Sequence, residues 1–166
     1  MDVPRLISGF PLALLFIIGA LLIPIFKGKT KAGLMLALPI LAFISLASTP
    51  NGSTWIFEVL GHDLILGRVD ALSRAFGFIF CIVTFLGVIF ALNIDDDLQF
   101  CAAFFYAGGA LGVCFAGDVF SLYIFWEIMA VASTFLILAR RTKASMAAAM
   151  RYILVHIFGG LCLLAG

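Results

Sequence analysis

Charged side chains are scarce in this sequence. Only 11% of the 166 residues are Asp, Glu, Lys or Arg, whereas 64% are apolar, and the mean hydropathy is +1.24. A soluble domain carries about 25% charged and 45–50% apolar residues. The composition therefore excludes an ordinary soluble domain and predicts an integral membrane protein in a lipid bilayer. Because the formal net charge is only +1, we expect no nucleic acid among the partners.

Residues that bind metals or attack substrates are also few. The four cysteines all lie in apolar stretches, without a CxxC pair and without a histidine at ligand spacing. They are interpreted as small buried apolar residues, so no disulfide framework, metal site or iron–sulfur cofactor is expected. No nucleophile–base pair or phosphate-binding loop is recognisable either. An enzyme acting on a bound small molecule is therefore the least favoured function class.

Long apolar runs dominate what is present. A membrane-spanning helix needs about 20 apolar residues, and the sequence contains six runs of about this length. The predicted fold is an all-α integral membrane protein with six transmembrane helices, at Leu6–Phe26, Ala32–Ser48, Ala75–Ile94, Leu98–Gly117, Val119–Ala139 and Met146–Gly166.

One polar segment, residues 49–70, separates the second span from the third. The runs TWIFEV and LILGRV flank the turn residues Gly61, His62 and Asp63, a pattern typical of a β-hairpin. Asp70 is expected to cap the third helix, and its spacing to Arg74 allows an ion pair. The predicted organisation is residues 1–48 with two spans, 49–70 as an external hairpin loop, and 71–166 with four spans.

Lysine and arginine in the short loops indicate the orientation. Six of them lie in KGKTK (27–31) and RRTK (140–143), and Arg5, Arg68 and Arg74 lie at the other side of six alternating spans. Basic loops remain on the inside of membranes. We therefore predict a multi-pass protein of the cell membrane with the N-terminus and hairpin outside and the KGKTK and RRTK loops inside.

Small residues recur on one face of the fourth span. Gly108, Gly112 and Ala116 are four residues apart, which lets helix backbones approach closely. Only Gly117 and Asp118 separate this span from the next, with glycine ending one helix and aspartate capping the other. The fifth span is therefore the expected neighbour.

The fifth span carries one charge, Glu127, near its middle. An ionisable group at that depth costs about 2.5–3.5 kcal/mol on insertion scales and usually marks an ion or proton pathway. Tyr123 and Thr134 share its helical face and offer hydroxyl groups for a short water chain. Burial disfavours the charged carboxylate and a nearby base favours it, so Glu127 is the candidate proton-exchanging group.

His156 lies at the middle of the sixth span and is the candidate relay at the same depth. A purely structural alternative remains open for both side chains. Glu127 would then stay protonated and hydrogen-bond a neighbouring helix, and His156 would bond a backbone carbonyl.

Three stretches carry a family resemblance. They are VDALSRAF (69–76), GDVFSLYIFWEIMAVASTFLI (117–137) and RRTKASMAAAMRYILVHIFGGLCLLAG (140–166). From about Trp55 onward the chain resembles the antiporter-like membrane subunits of respiratory complex I and the corresponding Mrp-type subunits of multisubunit cation/proton antiporters. The resemblance implies that Glu127 is the glutamate of the fifth helix that pairs with a lysine on the seventh.

The chain departs from that family in length, because its members have about fourteen helices and six are predicted here. No lysine lies deep within a predicted span. A partner lysine is therefore expected from another membrane subunit of a multisubunit complex, or this is the N-terminal portion of a longer subunit.

Three functions follow from the resemblance. The first is exchange of protons for a monovalent cation by a multisubunit antiporter. The second is proton translocation in the membrane arm of a redox-driven complex, of the NADH-quinone oxidoreductase or hydrogenase type. The third is a scaffold subunit without a transport role.

Overall fold

The computed structural model describes residues 11–59, 61–94 and 96–166. Within these residues the chain forms six α-helices and one two-stranded sheet. The helices are α1 (Leu12–Leu22), α2 (Gly28–Ser48), α3 (Ala71–Ala91), α4 (Asp97–Phe115), α5 (Val119–Leu138) and α6 (Lys143–Ala165), and the strands are β1 (Thr54–Val59) and β2 (His62–Arg68).

Five helices, α2 to α6, are long and apolar enough to cross a membrane. They coincide with the second to sixth predicted spans, which confirms a multi-pass membrane protein. Helix α1 continues into a 3₁₀ turn at Ile23–Ile25, where Pro24 has no amide hydrogen to extend the α-helical ladder. Together they cover Leu12–Ile25. The beginning of the predicted first span, from Leu6, lies outside the described residues.

Two of the helices begin with reciprocal caps. The Asp70 carboxylate accepts a hydrogen bond from the Ser73 amide at 2.7 Å, and the Ser73 hydroxyl accepts one from the Asp70 amide at 2.9 Å. Thr142 and Ser145 form the same arrangement at the start of α6. Capping by Asp70 is thus confirmed. The ion pair that its spacing to Arg74 allows is absent from the described residues, where Nε and Nη2 of Arg74 are buried without a hydrogen-bond partner.

The predicted hairpin is present. Strands β1 and β2 pair antiparallel from Thr54↔Arg68 to Val59↔His62, with an irregularity between Trp55 and Ile56. Trp55 is buried and meets the ring of Phe115 edge-on, at 6.4 Å between centroids. This contact anchors the hairpin on the end of α4.

Helix α4 lies at the centre of the helices and packs against α1 on one side and α5 on the other. A Cβ atom on Gly108 would press on Ala13 and Phe16 of α1, and one on Gly112 would overlap the ring of Phe125 on α5. The small-residue face therefore packs tightly, as predicted. This face packs against two helices, α1 and α5, rather than against the predicted fifth span alone.

Contacts between the loops show which loops lie at the same end of the helices. The Lys31 ammonium forms a salt bridge with Asp97, and Arg141 forms one with Asp96 at 2.9 Å. The KGKTK loop, the start of α4 and the RRTK loop therefore lie together. At the opposite end, the Gly117 amide donates to the Ile65 carbonyl of β2 at 3.0 Å. This grouping of loops agrees with the predicted alternation of spans.

Candidate functional site

Glu127 is the acidic residue inside α5, and its position follows from the start of that helix. The Asp118 carboxylate caps α5 by accepting the Ser121 amide at 2.7 Å. Nine residues at about 1.5 Å each then place Glu127 about 13 Å along the helix axis. The side chain consequently lies near the middle of the apolar span, as the sequence predicts.

The carboxyl group of Glu127 is incompletely satisfied. Its Oε1 atom is buried and has no hydrogen-bond partner in the part of the chain that the structure describes. Leaving a buried polar group unpaired costs about 1–3 kcal/mol, and more when the group is charged. The alternative in which this oxygen bonds a neighbouring helix is not seen in these residues. The site therefore requires a proton, a water or a basic partner at that oxygen.

Gly160 of α6 lies directly against this carboxyl group. A Cβ atom added at Gly160 would overlap Oε1 of Glu127 and would lie 3.3 Å from Cε2 of Tyr123. With glycine at this position the α6 backbone approaches both side chains without displacing the carboxyl group. Gly160 thus fixes the side of α5 on which the carboxyl group rests.

An apolar cavity of about 480 Å³ opens on the α4 side of the same carboxyl group. Its walls come from α4 and α5, chiefly Cys101, Phe105, Val131 and Phe135 beside Glu127. An ion in such surroundings is stable only with a partner. The cavity offers the space in which a partner group could reach Glu127.

His156 lies one helical turn before Gly160 on α6. Its ring meets Trp126 edge-on at 5.9 Å and Tyr152 edge-on at 4.9 Å between centroids. The imidazole is half-buried in a groove of about 800 Å³ between α5 and α6, which Arg151 also lines. The structure thus places His156 at the same helix interface as Glu127.

The two hydroxyl groups predicted beside Glu127 differ in their surroundings. The ring of Tyr123 lies near Gly160 and hence near the carboxyl group. The Thr134 hydroxyl donates to the Ala130 carbonyl at 2.9 Å. Ala130 lies about one turn beyond Glu127, and Thr134 lies about two. Both residues retain oxygen lone pairs that can accept a hydrogen bond.

A hydrogen bond between side chains of α5 and α6 was not predicted from the sequence. The hydroxyl groups of Ser133 and Tyr152 lie 2.9 Å apart, and either can be the donor. The spacing of Tyr152, His156 and Gly160 at four-residue intervals is the sequence signal that could have revealed this face of α6. Identifying Ser133 also needs the register between the two helices.

Asp118 connects α5, which is the helix that contains Glu127, with the hairpin. Besides its bonds with Ser121, the carboxylate accepts the Ile65 amide of β2 at 2.6 Å. Partial burial raises the pKa of Asp118, but the hydrogen bonds from Ser121 and Ile65 outweigh burial and hold this pKa below its usual value. The carboxylate therefore stabilises the folded state while it remains ionised.

Replacing Asp118 with asparagine should weaken the fold in a pH-dependent way. Because the folded-state pKa is lowered, the contribution of the carboxylate is present above the unfolded pKa of about 3.9 and is lost as pH falls through the folded value. We expect the variant to be less stable by about 1 kcal/mol at neutral pH and equal to wild type at low pH. Thermal unfolding in detergent between pH 3 and 7 measures this, with Asp63→Asn on the same hairpin as the control. A pH-independent difference would contradict it.

Comparisons with known proteins identify a matching family and relatives of this chain. Residues 116–166 match the family described as NADH:quinone oxidoreductase/Mrp antiporter, TM. The Na(+)/H(+) antiporter subunit A1 of Staphylococcus haemolyticus is 29% identical over 169 residues, which cover 90% of this chain and 21% of that protein. The Na(+)/H(+) antiporter subunit A1 of Staphylococcus aureus is also 29% identical, over 172 residues, with the same coverage. The chain thus spans about a fifth of the length of these curated relatives.

A solved structure shares the fold. A chain of the membrane-bound sulfane sulfur reductase, an archaeal respiratory membrane complex, superposes with a TM-score of 0.71 at 22% identity, over 90% of this chain and 34% of that one. Together the matches confirm the resemblance to the antiporter-like membrane subunits. They extend it from the region after Trp55 to most of the chain.

Proposed function

We propose, from the antiporter-like membrane fold of this chain, that it forms part of a proton-translocating subunit of a multisubunit monovalent cation/proton antiporter. Glu127 is the proton-exchanging carboxyl group. The observation that carries the proposal is the buried and unpartnered Oε1 of this side chain, among the described residues, near the middle of an apolar helix. A group that gains a partner only transiently can bind and release a proton with small changes in its surroundings.

His156 is proposed as the relay that passes protons to and from Glu127. It lies at the same interface and can both donate and accept through its two ring nitrogens. Tyr123 and Thr134 are proposed to hold water near the carboxyl group. Each offers a hydroxyl group on the face of α5 that includes Glu127.

A lysine from outside these helices is proposed as the partner of Glu127. The four lysines of this chain lie at residues 27, 29, 31 and 143, in the loops or at the first turn of a helix. Lys31 already pairs with Asp97. A second membrane subunit, or further chain of the same subunit, would bring the ammonium group into the cavity between α4 and α5.

The proposed setting is the cell membrane, with the KGKTK and RRTK loops inside and the N-terminus and hairpin outside. Residues 49–70 then form an external loop between the spans of residues 1–48 and those of residues 71–166. The support is the excess of basic residues in two loops that the structure places at one end.

A redox-driven proton pump is the second candidate. It is favoured by the shared fold with a chain of a respiratory membrane complex. The two candidates use the same proton-exchanging carboxyl group and differ in the source of energy. A concentration gradient of the cation drives the antiporter, and a redox reaction elsewhere in the complex drives the pump.

Cation-driven proton movement without a reductant tests the proposal. Everted membrane vesicles that contain the assembled transporter are acidified inside, and a pulse of Na⁺ or another monovalent cation is added outside. We expect immediate proton efflux, followed by recovery of a pH-sensitive dye. Proton movement that requires NADH or another electron donor would instead support the redox-driven pump.

A further inference from the structure

A hydroxyl cluster, formed by Ser133, Thr134 and Tyr152, lies between α5 and α6 on the RRTK side of Glu127. Ser133 and Thr134 both donate to the Ala130 carbonyl, at 2.8 and 2.9 Å. With its hydrogen directed to Ala130, the Ser133 oxygen is free to accept from the Tyr152 hydroxyl, 2.9 Å away. Two hydroxyl groups therefore bond one backbone carbonyl, and the third, that of Tyr152, bonds Ser133.

We propose that this cluster is the entry of a proton pathway that leads from the RRTK end of the helices through His156 to Glu127. The inference rests on the proposed function and adds residues to it. Ser133 and Tyr152 transfer protons in this pathway, and the sequence analysis assigned this role to neither of them.

The depths of the groups support a continuous route. Ser133 lies five residues before Leu138, the end of α5, which is about 7.5 Å inside the span. On α6, Tyr152, His156 and Gly160 follow at intervals of four residues, so each step rises about 6 Å along the axis. One water with two hydrogen bonds of about 2.8 Å each spans such a step. In the proposed pathway one water links Tyr152 to His156, and a second links His156 to the carboxyl group that rests on Gly160.

The groove beside these residues provides the space. Its volume is about 800 Å³, and it runs beside Arg151, Tyr152, His156 and Trp126, which is the middle of the route. A water occupies about 30 Å³ and needs two or more polar partners. Arg151 is exposed on the RRTK side of Tyr152 and keeps that end of the groove polar.

Each transfer in this pathway is balanced. The Ser133 hydroxyl turns from the Ala130 carbonyl toward Tyr152. A proton from water enters the Ser133 oxygen as the proton of its hydroxyl passes to the Tyr152 oxygen, and the phenolic proton leaves toward the next water. The imidazole of His156 then accepts a proton on one nitrogen and releases another from its second nitrogen. Glu127 receives the last proton, and rotation of the hydroxyl groups and of the histidine tautomer restores the route. No oxidant, reductant or bound ion takes part.

Tyr152→Phe and Ser133→Ala in the assembled transporter test the pathway. Proton efflux from vesicles after a cation pulse should fall at least about 100-fold in each, the low end of what general acid–base groups contribute. The double variant should be no slower than the slower single variant, because both substitutions interrupt one route. The cation concentration for half-maximal rate should remain unchanged. Tyr106→Phe, which removes an exposed phenol from α4, outside the hydroxyl cluster, is the matched control.

Three results would overturn the pathway. If wild-type vesicles exchange and both variants exchange equally fast, the pathway is wrong and the proposed function stands. If the variants have lower melting temperatures and their rates fall only as much as this loss of stability explains, the hydrogen bond between Ser133 and Tyr152 is structural. If wild-type vesicles do not exchange protons for a cation, the proposed function fails and the pathway fails with it.

Discussion

Replacing Glu127 with glutamine is expected to abolish proton exchange in the assembled transporter. Glutamine has nearly the shape of glutamate but cannot release a proton near neutral pH. Loss of a general acid–base group costs about 10²–10⁴ in rate, so efflux should fall to the background of vesicles without the transporter. The rate of proton efflux after a cation pulse measures the effect.

The same substitution should leave assembly intact. Oε1 has no hydrogen-bond partner among the described residues, so glutamine loses no contact made there. Glu58→Gln, which removes an exposed carboxylate from β1, is the matched control and should exchange at the wild-type rate. Wild-type exchange by the Glu127→Gln variant would refute the role of this residue. The scaffold hypothesis predicts that Glu127→Leu is tolerated or stabilising.

Gly160→Ala should also reduce exchange strongly, because its methyl group would overlap Oε1 of Glu127. The carboxyl group must then leave its position, and displacement of a reacting group by about 1 Å can cost about 100-fold in rate. We expect a loss of about that size while the protein still assembles. Proton efflux and the yield of assembled transporter are measured on the same membranes.

The control for Gly160→Ala is Gly87→Ala. Gly87 also lies within a membrane-spanning helix, but a Cβ atom there would meet nothing within 4 Å in the described residues. Alanine favours a helix over glycine, so this variant should be as stable as wild type or slightly more so. Unchanged exchange by Gly160→Ala would show that the carboxyl group can move without loss of function.

Hydropathy predicted the membrane helices well, and their boundaries less well. Helix α3 begins at Ala71, as the expected cap at Asp70 requires and ahead of the apolar run from Ala75, and α6 begins at Lys143 rather than Met146. In both cases a capping residue sets the start, and polar residues occupy the first turn. An apolar run marks the part of a helix that lipid or protein covers, whereas the hydrogen-bond ladder extends to the cap.

Neighbouring helices were harder to predict than the helices themselves. The spacing of Gly108 and Gly112 indicated a close approach, and the short link to the fifth span indicated that helix as the neighbour, but nothing in the sequence indicated α1. Gly108 contacts α1, and Gly112 contacts α5. Positions four residues apart point about 40° apart around a helix, so two neighbours can share one small-residue face.

The residues of the candidate site also differ in how readily the sequence reveals them. Glu127 and His156 stood out because ionisable groups are rare at that depth. Ser133 and Gly160 did not, since a serine and a glycine are common in membrane helices. Their importance comes from the register between α5 and α6, which brings Ser133 to Tyr152 and Gly160 to Glu127.

The paired aspartates at the start of α4 bear on how the protein inserts during synthesis. Asp97 forms its salt bridge with Lys31, which is synthesised early. Asp96 forms one with Arg141, which is synthesised after five of the six helices. A helix threaded upside down would carry its basic residue to the opposite face of the bilayer, out of reach of either acid. A chain with one of these helices threaded upside down cannot close both bridges, so the two ion pairs favour the alternating arrangement of the helices.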